Sequence, residues 1–130
     1  MNINGTHYHT IWVKKNDPKT IQIIDQRFLP FEFKTQDLKT LEDTFVAIKE
    51  MWVRGAPLIG VTAAYGMYLG LLSLTDSETL EKEVLELGQY LESSRPTAVN
   101  LKYAIDLVLN ETKSNFRYYQ IFHFLRSFHN

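Results

Sequence analysis

The sequence predicts an α+β fold that is mainly α, with a small N-terminal antiparallel β-meander followed by a helical bundle. Three observations carry this reading. Short apolar or alternating runs, separated by proline-bearing breaks, fill residues 1–39. From residue 40 onward the apolar positions recur at intervals of three and four. A proline or a capping pattern then stands where these helical runs begin.

The meander is expected from Ile11 to Val13, Ile21 to Ile24 and Phe31 to Phe33, with Asn16-Asp17-Pro18 and Leu29-Pro30 as the breaks. Leu41, Phe45, Ile48 and Trp52 then line one face of a first helix, with Thr40 and Asp43 resembling a capping box that uses the shorter acid. Residues 57–74 open with Pro57 and are apolar on all sides, as expected of a central buried helix. Within it Gly60 with Ala64, and Gly66 with Gly70, are small pairs four apart that admit a close neighbouring backbone. Thr75-Asp76-Ser77-Glu78 reads as a capping box for a third helix, whose stripe is Leu80, Val84, Leu87 and Leu91 and whose end falls near Ser93. Pro96 opens a fourth, with Leu101, Ile105 and Val108 as its stripe, running to about Leu109. The domain division is therefore residues 1–39 for the meander, 40–110 for the bundle and 111–130 for an aromatic tail of helical character.

Composition narrows the function classes. A chain of 130 residues, 45% hydrophobic, supports one domain with a real core. Its formal charge of -1 gives no electrostatic footprint for nucleic acid or an anionic membrane, so any anion site must be local. With no cysteine, a disulfide framework, a thiolate metal site and a cysteine nucleophile are excluded within these residues. No residue from Gly55 to Thr75 is charged, yet the prolines, threonines and glycines there favour a buried helix over a membrane span. The polar start carries no secretory signal, which makes the cytoplasm the expected location. The four histidines lack metal-ligand spacing, so no metal is expected. In the tail, Phe116, Tyr118, Tyr119, Phe122, Phe124 and Phe128 lie among Arg117, His123, Arg126 and His129. Such a mixture can stack single-stranded bases, but Tyr118, Ile121, Leu125 and Phe128 also share a helical face, and packing is the favoured reading.

The most informative feature is a pattern used twice: Arg54-Gly55-Ala56-Pro57 and Arg95-Pro96-Thr97 each place an arginine before a proline-started helix. Amides at a helix N-terminus are unpaired and carry partial positive charge, which a phosphate satisfies. Gly55 and Ala56 keep no bulk between the backbone and a ligand oxygen, and arginine adds a planar fork of donors. Spacing alone favours the plainer reading, two solvated arginines at helix entrances, each free to pair with a surface acid. Asn100 is a weaker candidate donor, and Asp25-Gln26 more simply make a turn at a strand end. No titratable group is identifiable as an acid or base, so no catalytic residue is assigned.

Asp25-Gln26, Leu29-Pro30, Val53-Arg54-Gly55-Ala56-Pro57, Ile59-Gly60-Val61, Ala63-Ala64-Tyr65-Gly66 and Arg95-Pro96-Thr97-Ala98-Val99-Asn100-Leu101 together resemble the methylthioribose-1-phosphate isomerase family, in order and in separation. The likeness covers residues 12–109. It implies a cofactor-free aldose-to-ketose isomerisation of a phosphorylated methylthio-sugar in methionine salvage, the C1 phosphate blocking ordinary ring opening. It further implies that Arg54, Gly55, Ala56 and Arg95 bind substrate, and that the full-length protein is a homodimer. The family's catalytic cysteine and aspartate lie in a following Rossmann-like domain, which the absence of cysteine says is missing here, so this chain is expected to be inactive alone. Leu58 stands where the family usually has a smaller residue, and the tail after Asn110 departs from the family, which reads as truncation, a frameshift or a divergent end. Two other readings remain: a noncatalytic sugar-phosphate-binding relative akin to regulatory subunits of the initiation-factor exchange complex, and an interaction module whose tail covers exposed surface.

Overall fold

The computed structural model describes residues 2–3, 6–7, 9–75 and 78–114. Strands β1 (Asn2–Ile3) and β2 (Thr6–His7) pair antiparallel. Strands β3 (Ile11–Val13), β4 (Ile21–Ile24) and β5 (Thr35–Leu38) form a three-stranded antiparallel sheet in that order. Four helices follow: α1 (Leu41–Lys49), α2 (Ala56–Leu72), α3 (Leu80–Glu92) and α4 (Val99–Ser114).

Register explains the sheet's two faces. Ile11 pairs with Ile23, and Ile21 with both Val13 and Leu38, placing Ile11, Ile21, Ile23 and Leu38 in the core. On the other face Trp12, Gln22 and Asp37 stand in one row, where Trp12 Nε1 donates to Gln22 Oε1 at 2.9 Å and Gln22 Nε2 to Asp37 Oδ1 at 2.8 Å. The third strand is the first correction to expectation. Phe31 to Phe33 lie in the connection rather than in a strand, Phe31 being 93% exposed, and Thr35–Leu38 takes the edge position. That strand faces solvent along much of its length and buries only Leu38, so its polar composition hides it from an apolar pattern.

Helix α2 is buried nearly all round and organises the bundle. Its small residues set the approach of its neighbours. A Cβ on Gly60 would lie 3.3 Å from the Asn100 carbonyl oxygen, which brings α4 close. Gly66 faces Thr44 of α1, and Gly70 faces Leu87 of α3. Thr40 caps α1 by accepting from the Asp43 amide at 3.1 Å, and Asp43 returns a bond from the Lys39 amide at 2.9 Å, one residue earlier than a standard box. Helix α1 ends at Lys49, so Trp52 lies beyond it. The chain leaves α1 through Met51 in the left-handed region at φ 61°, where Trp52 N–H donates to the Ala47 carbonyl and Met51 N–H to the Ile48 carbonyl.

On α3, Val84 and Leu91 are buried and Leu80 and Leu87 pack beside them, while Thr79 occupies the N-cap. Asp76 and Ser77 of the expected capping box lie outside the described residues. Leu101, Ile105 and Val108 form the buried stripe of α4 as expected. Its bounds differ from expectation, however. Helix α4 starts at Val99 rather than Pro96, because Ala98 N–H folds back to the Arg95 carbonyl at 3.0 Å and leaves Pro96 at the second position of a turn, which its fixed φ suits. The helix also continues past Leu109 to Ser114, and the aromatic positions 116–128 lie outside the described residues.

Candidate functional site: an anion cleft at two helix starts

Between the starts of α2 and α4 lies a cleft of about 450 Å³, lined by Met51, Arg54, Gly55, Ala56, Ile59, Arg95, Ala98, Val99 and Asn100. The four expected ligand-binding residues, Arg54, Gly55, Ala56 and Arg95, therefore share one space, and Asn100 joins them. The convergence has a simple origin: Gly60 lets the first turns of α2 and α4 touch, so both helices begin at the same place.

Gly55 is the N-cap of α2, with φ 94° and ψ 134°. That backbone region is open to glycine and strained for any other residue. Having no side chain, Gly55 supplies no cap, and Pro57 at the first turn has no N–H to offer. The first intrahelical bond near this end runs from Ile59 N–H to the Gly55 carbonyl at 3.0 Å. The amides ahead of it have no partner within the helix, and Gly55 and Ala56 line the cleft. A Cβ placed on Gly55 would meet nothing within 4 Å, so the backbone here stands in open space.

The two arginines differ in support. The Arg54 guanidinium is exposed and donates through one terminal nitrogen to the Gln26 carbonyl at 3.2 Å. Arg95 is half-buried after α3, its amide bonded to the Glu92 carbonyl. Among the described residues neither arginine has a carboxylate partner. With Arg54, Arg95 and two helix N-termini on its wall and no acidic residue in its lining, the cleft is cationic in a chain whose formal charge is -1. The second arginine motif differs from expectation in detail, since the helix end that reaches the cleft begins with Ala98 to Asn100 and Arg95 precedes a turn.

Asp25 and Gln26 take a different role from ligand contact. The Asp25 side chain is wholly buried, with Arg27 Nε donating at 3.0 Å, an Arg27 terminal nitrogen at 2.7 Å, the Arg27 amide at 3.1 Å and Gln36 Nε2 at 3.1 Å. Burial pushes its carboxyl up, and the Arg27 fork with the Gln36 amide outweighs that and holds it below the usual carboxylate value. Such a saturated carboxylate has no capacity left for a ligand. A second hollow of about 560 Å³ sits against α1, α2 and α3, but on its wall Glu42, Glu83 and Glu86 outweigh Lys39 and disfavour an anion. No described helix is long and apolar enough to cross a membrane.

Comparison with known proteins places these features in a wider group. The profile of the initiation factor 2 subunit family matches residues 52–121, a stretch that holds both arginines and continues past Asn110. The methylthioribose-1-phosphate isomerase of Paramagnetospirillum magneticum is 54% identical over 106 residues, covering 82% of this chain and 28% of the relative. That of Escherichia coli is 45% identical over 113 residues, covering 87% and 29%. The chain thus spans less than a third of the length of these curated relatives. The crystal structure of 5-methylthioribose 1-phosphate isomerase from Pyrococcus horikoshii superposes with a TM-score of 0.75 at 31% identity, over 92% of this chain and 34% of that one. Translation initiation factor eIF-2B subunit delta from A. fulgidus gives 0.76 at 26% identity, with the same coverage.

Proposed function

The chain belongs to the initiation factor 2 subunit family, and from that membership and its cationic cleft we propose that it is the phosphate-gripping portion of a methylthioribose-1-phosphate isomerase. The observation that carries the proposal is the meeting of Arg54 and Arg95 with the starts of α2 and α4 in one cleft. Gly55 and Ala56 present main-chain amides to the phosphate, and the two guanidinium groups close on its oxygens. Holding the phosphate fixes the sugar for proton movement between C1 and C2, which raises the rate through orientation. The acid and base for that movement lie outside this chain, and the reaction takes no cofactor. On this reading the full-length protein is a cytoplasmic homodimer of methionine salvage, and this chain alone is inactive.

Overlay does not separate the isomerase from the initiation-factor subunit, since the two TM-scores are alike. The cationic cleft and the higher identity to named isomerases favour the enzyme reading over a noncatalytic one.

The test is titration of the chain with inorganic phosphate, followed by NMR amide shifts, beside an Arg54→Ala, Arg95→Ala double variant. Shifts centred on Gly55, Ala56, Val99 and Asn100 are expected. Each arginine removed should weaken affinity by about tenfold or more, the value of a charge-assisted hydrogen bond. Binding that survives in the double variant, or no binding at all, overturns the cleft assignment. Turnover of methylthioribose 1-phosphate by the isolated chain overturns the placement of the chemistry elsewhere.

A further inference from the structure

We propose that the ion pair between the buried Asp25 and the exposed Arg27 is a positioning device for the phosphate site, acting through the Gln26 backbone to hold the Arg54 guanidinium at the cleft. The inference rests on the reading of that cleft as an anion site and adds residues that never touch the ligand.

Gln26 sits between the two members of the pair, and both of its backbone groups reach the segment that leads into α2. Its N–H donates to the Trp52 carbonyl at 2.8 Å, and its carbonyl accepts from Arg54 at 3.2 Å. Its neighbours are immobilised on either side. Asp25 is anchored through its amide to the Lys34 carbonyl at 2.8 Å and through its side chain to Arg27 and Gln36. The Arg27 guanidinium lies 4.6 Å from the Trp52 ring centroid and 5.3 Å from that of Phe28, with a Glu50 carboxylate oxygen at 3.9 Å. Arg27 thus joins the turn after β4 to the chain leaving α1.

The Gln26 carbonyl is the one partner recorded for the Arg54 side chain among the described residues. An exposed arginine tethered at one nitrogen keeps its other donors pointed together and loses less freedom when an anion arrives. The fork from Arg27 to Asp25 matters for the same reason. A planar bidentate pair fixes orientation as well as distance, so a small rotation of residues 25–27 would carry the Gln26 carbonyl away from Arg54.

The experiment is a set of phosphate titrations on the full chain with Asp25→Asn, made alone and in the Arg54→Ala and Arg95→Ala backgrounds, with melting curves confirming fold. Asp25→Asn alone should weaken phosphate binding by about fivefold, inside the range for members of one network. The same change should have no further effect once Arg54 is alanine, and its full effect when Arg95 is. Equal losses in both backgrounds would reduce the pair to general support of the fold and overturn the proposal. If Asp25→Asn unfolds the chain, Arg27→Lys carries the same cycle, since it keeps the charge and loses the fork. The Arg54 Nε–Hε NMR signal gives a readout that needs no ligand. It should shift in either variant, even if phosphate binding fails in the wild type and only the cleft assignment falls. An unmoved signal would overturn the positioning role by itself.

Discussion

Met51 carries a backbone conformation that its side chain opposes. At φ 61° it completes the turn that ends α1, a place where glycine is usual, and it lines the cleft between the starts of α2 and α4. Met51→Gly is expected to raise stability by about 0.5–1 kcal/mol, since relief of the left-handed conformation exceeds the added freedom of the unfolded chain. Thermal denaturation checks this, and an unchanged or lower melting temperature would mean that apolar contacts of the thioether offset the strain. Nothing in the sequence marks this turn, because the signal for such an ending is glycine or asparagine. Gly55 was legible for the opposite reason: glycine before alanine and proline states its own backbone requirement locally. Arg54 and Arg95 were legible as candidates, while their meeting depends on Gly60 packing against Asn100, a contact across 40 positions that spacing does not report.

At the scale of elements, the bundle is set by what α2 lacks. Gly66 lies against Thr44, and an added Cβ would come within 2.6 Å of Thr44 Cγ2. Thr44 is buried and stiff at its branched carbon, with its hydroxyl bonded to the Thr40 carbonyl, so it has little room to yield. Gly66→Ala should destabilise despite its gain in helix propensity, overpacking costing about 1–3 kcal/mol and propensity returning about 1. Adding Thr44→Ser removes the offending methyl and should restore most of the loss, a coupling that urea denaturation of the four-member cycle measures. Additive effects would mean that the two helices simply move apart. The all-apolar composition of α2 made its central place legible. The polar edge strand Thr35–Leu38 and the late start of α4 were not, because one buries a single side chain and the other follows a turn whose proline imitates a helix start.

For the molecule as a whole, acid stability follows from its carboxylates. Asp25, Asp37 and Asp17 all sit below their ordinary value: Arg27 and Gln36 outweigh burial at Asp25, Gln22 and Lys14 bond Asp37, and Thr20 bonds Asp17. A carboxyl lowered in the folded state stabilises above its unfolded value, about 3.9, and that contribution is lost as pH falls through the folded value. Melting temperature should therefore hold near neutrality and drop below about pH 4, with the drop shallower in Asp25→Asn. An equally steep drop in that variant would assign acid sensitivity to the exposed pairs instead. Burial of the β4 and α4 stripes was legible from periodicity alone; the network around Asp25 was not, since it joins β4, β5 and the end of α1 through side chains of no apolar pattern.

Because α2 and α4 begin side by side, the positive ends of two helix dipoles gather at a corner that Arg54 and Arg95 also line. Like charges gathered at one corner oppose close packing, and the approach of Gly60 to Asn100 keeps the two helix starts together there. On the reading proposed for the cleft, a bound dianion offsets that charge at both helices at once. On that reading, ligand binding and the cohesion of the bundle reinforce each other.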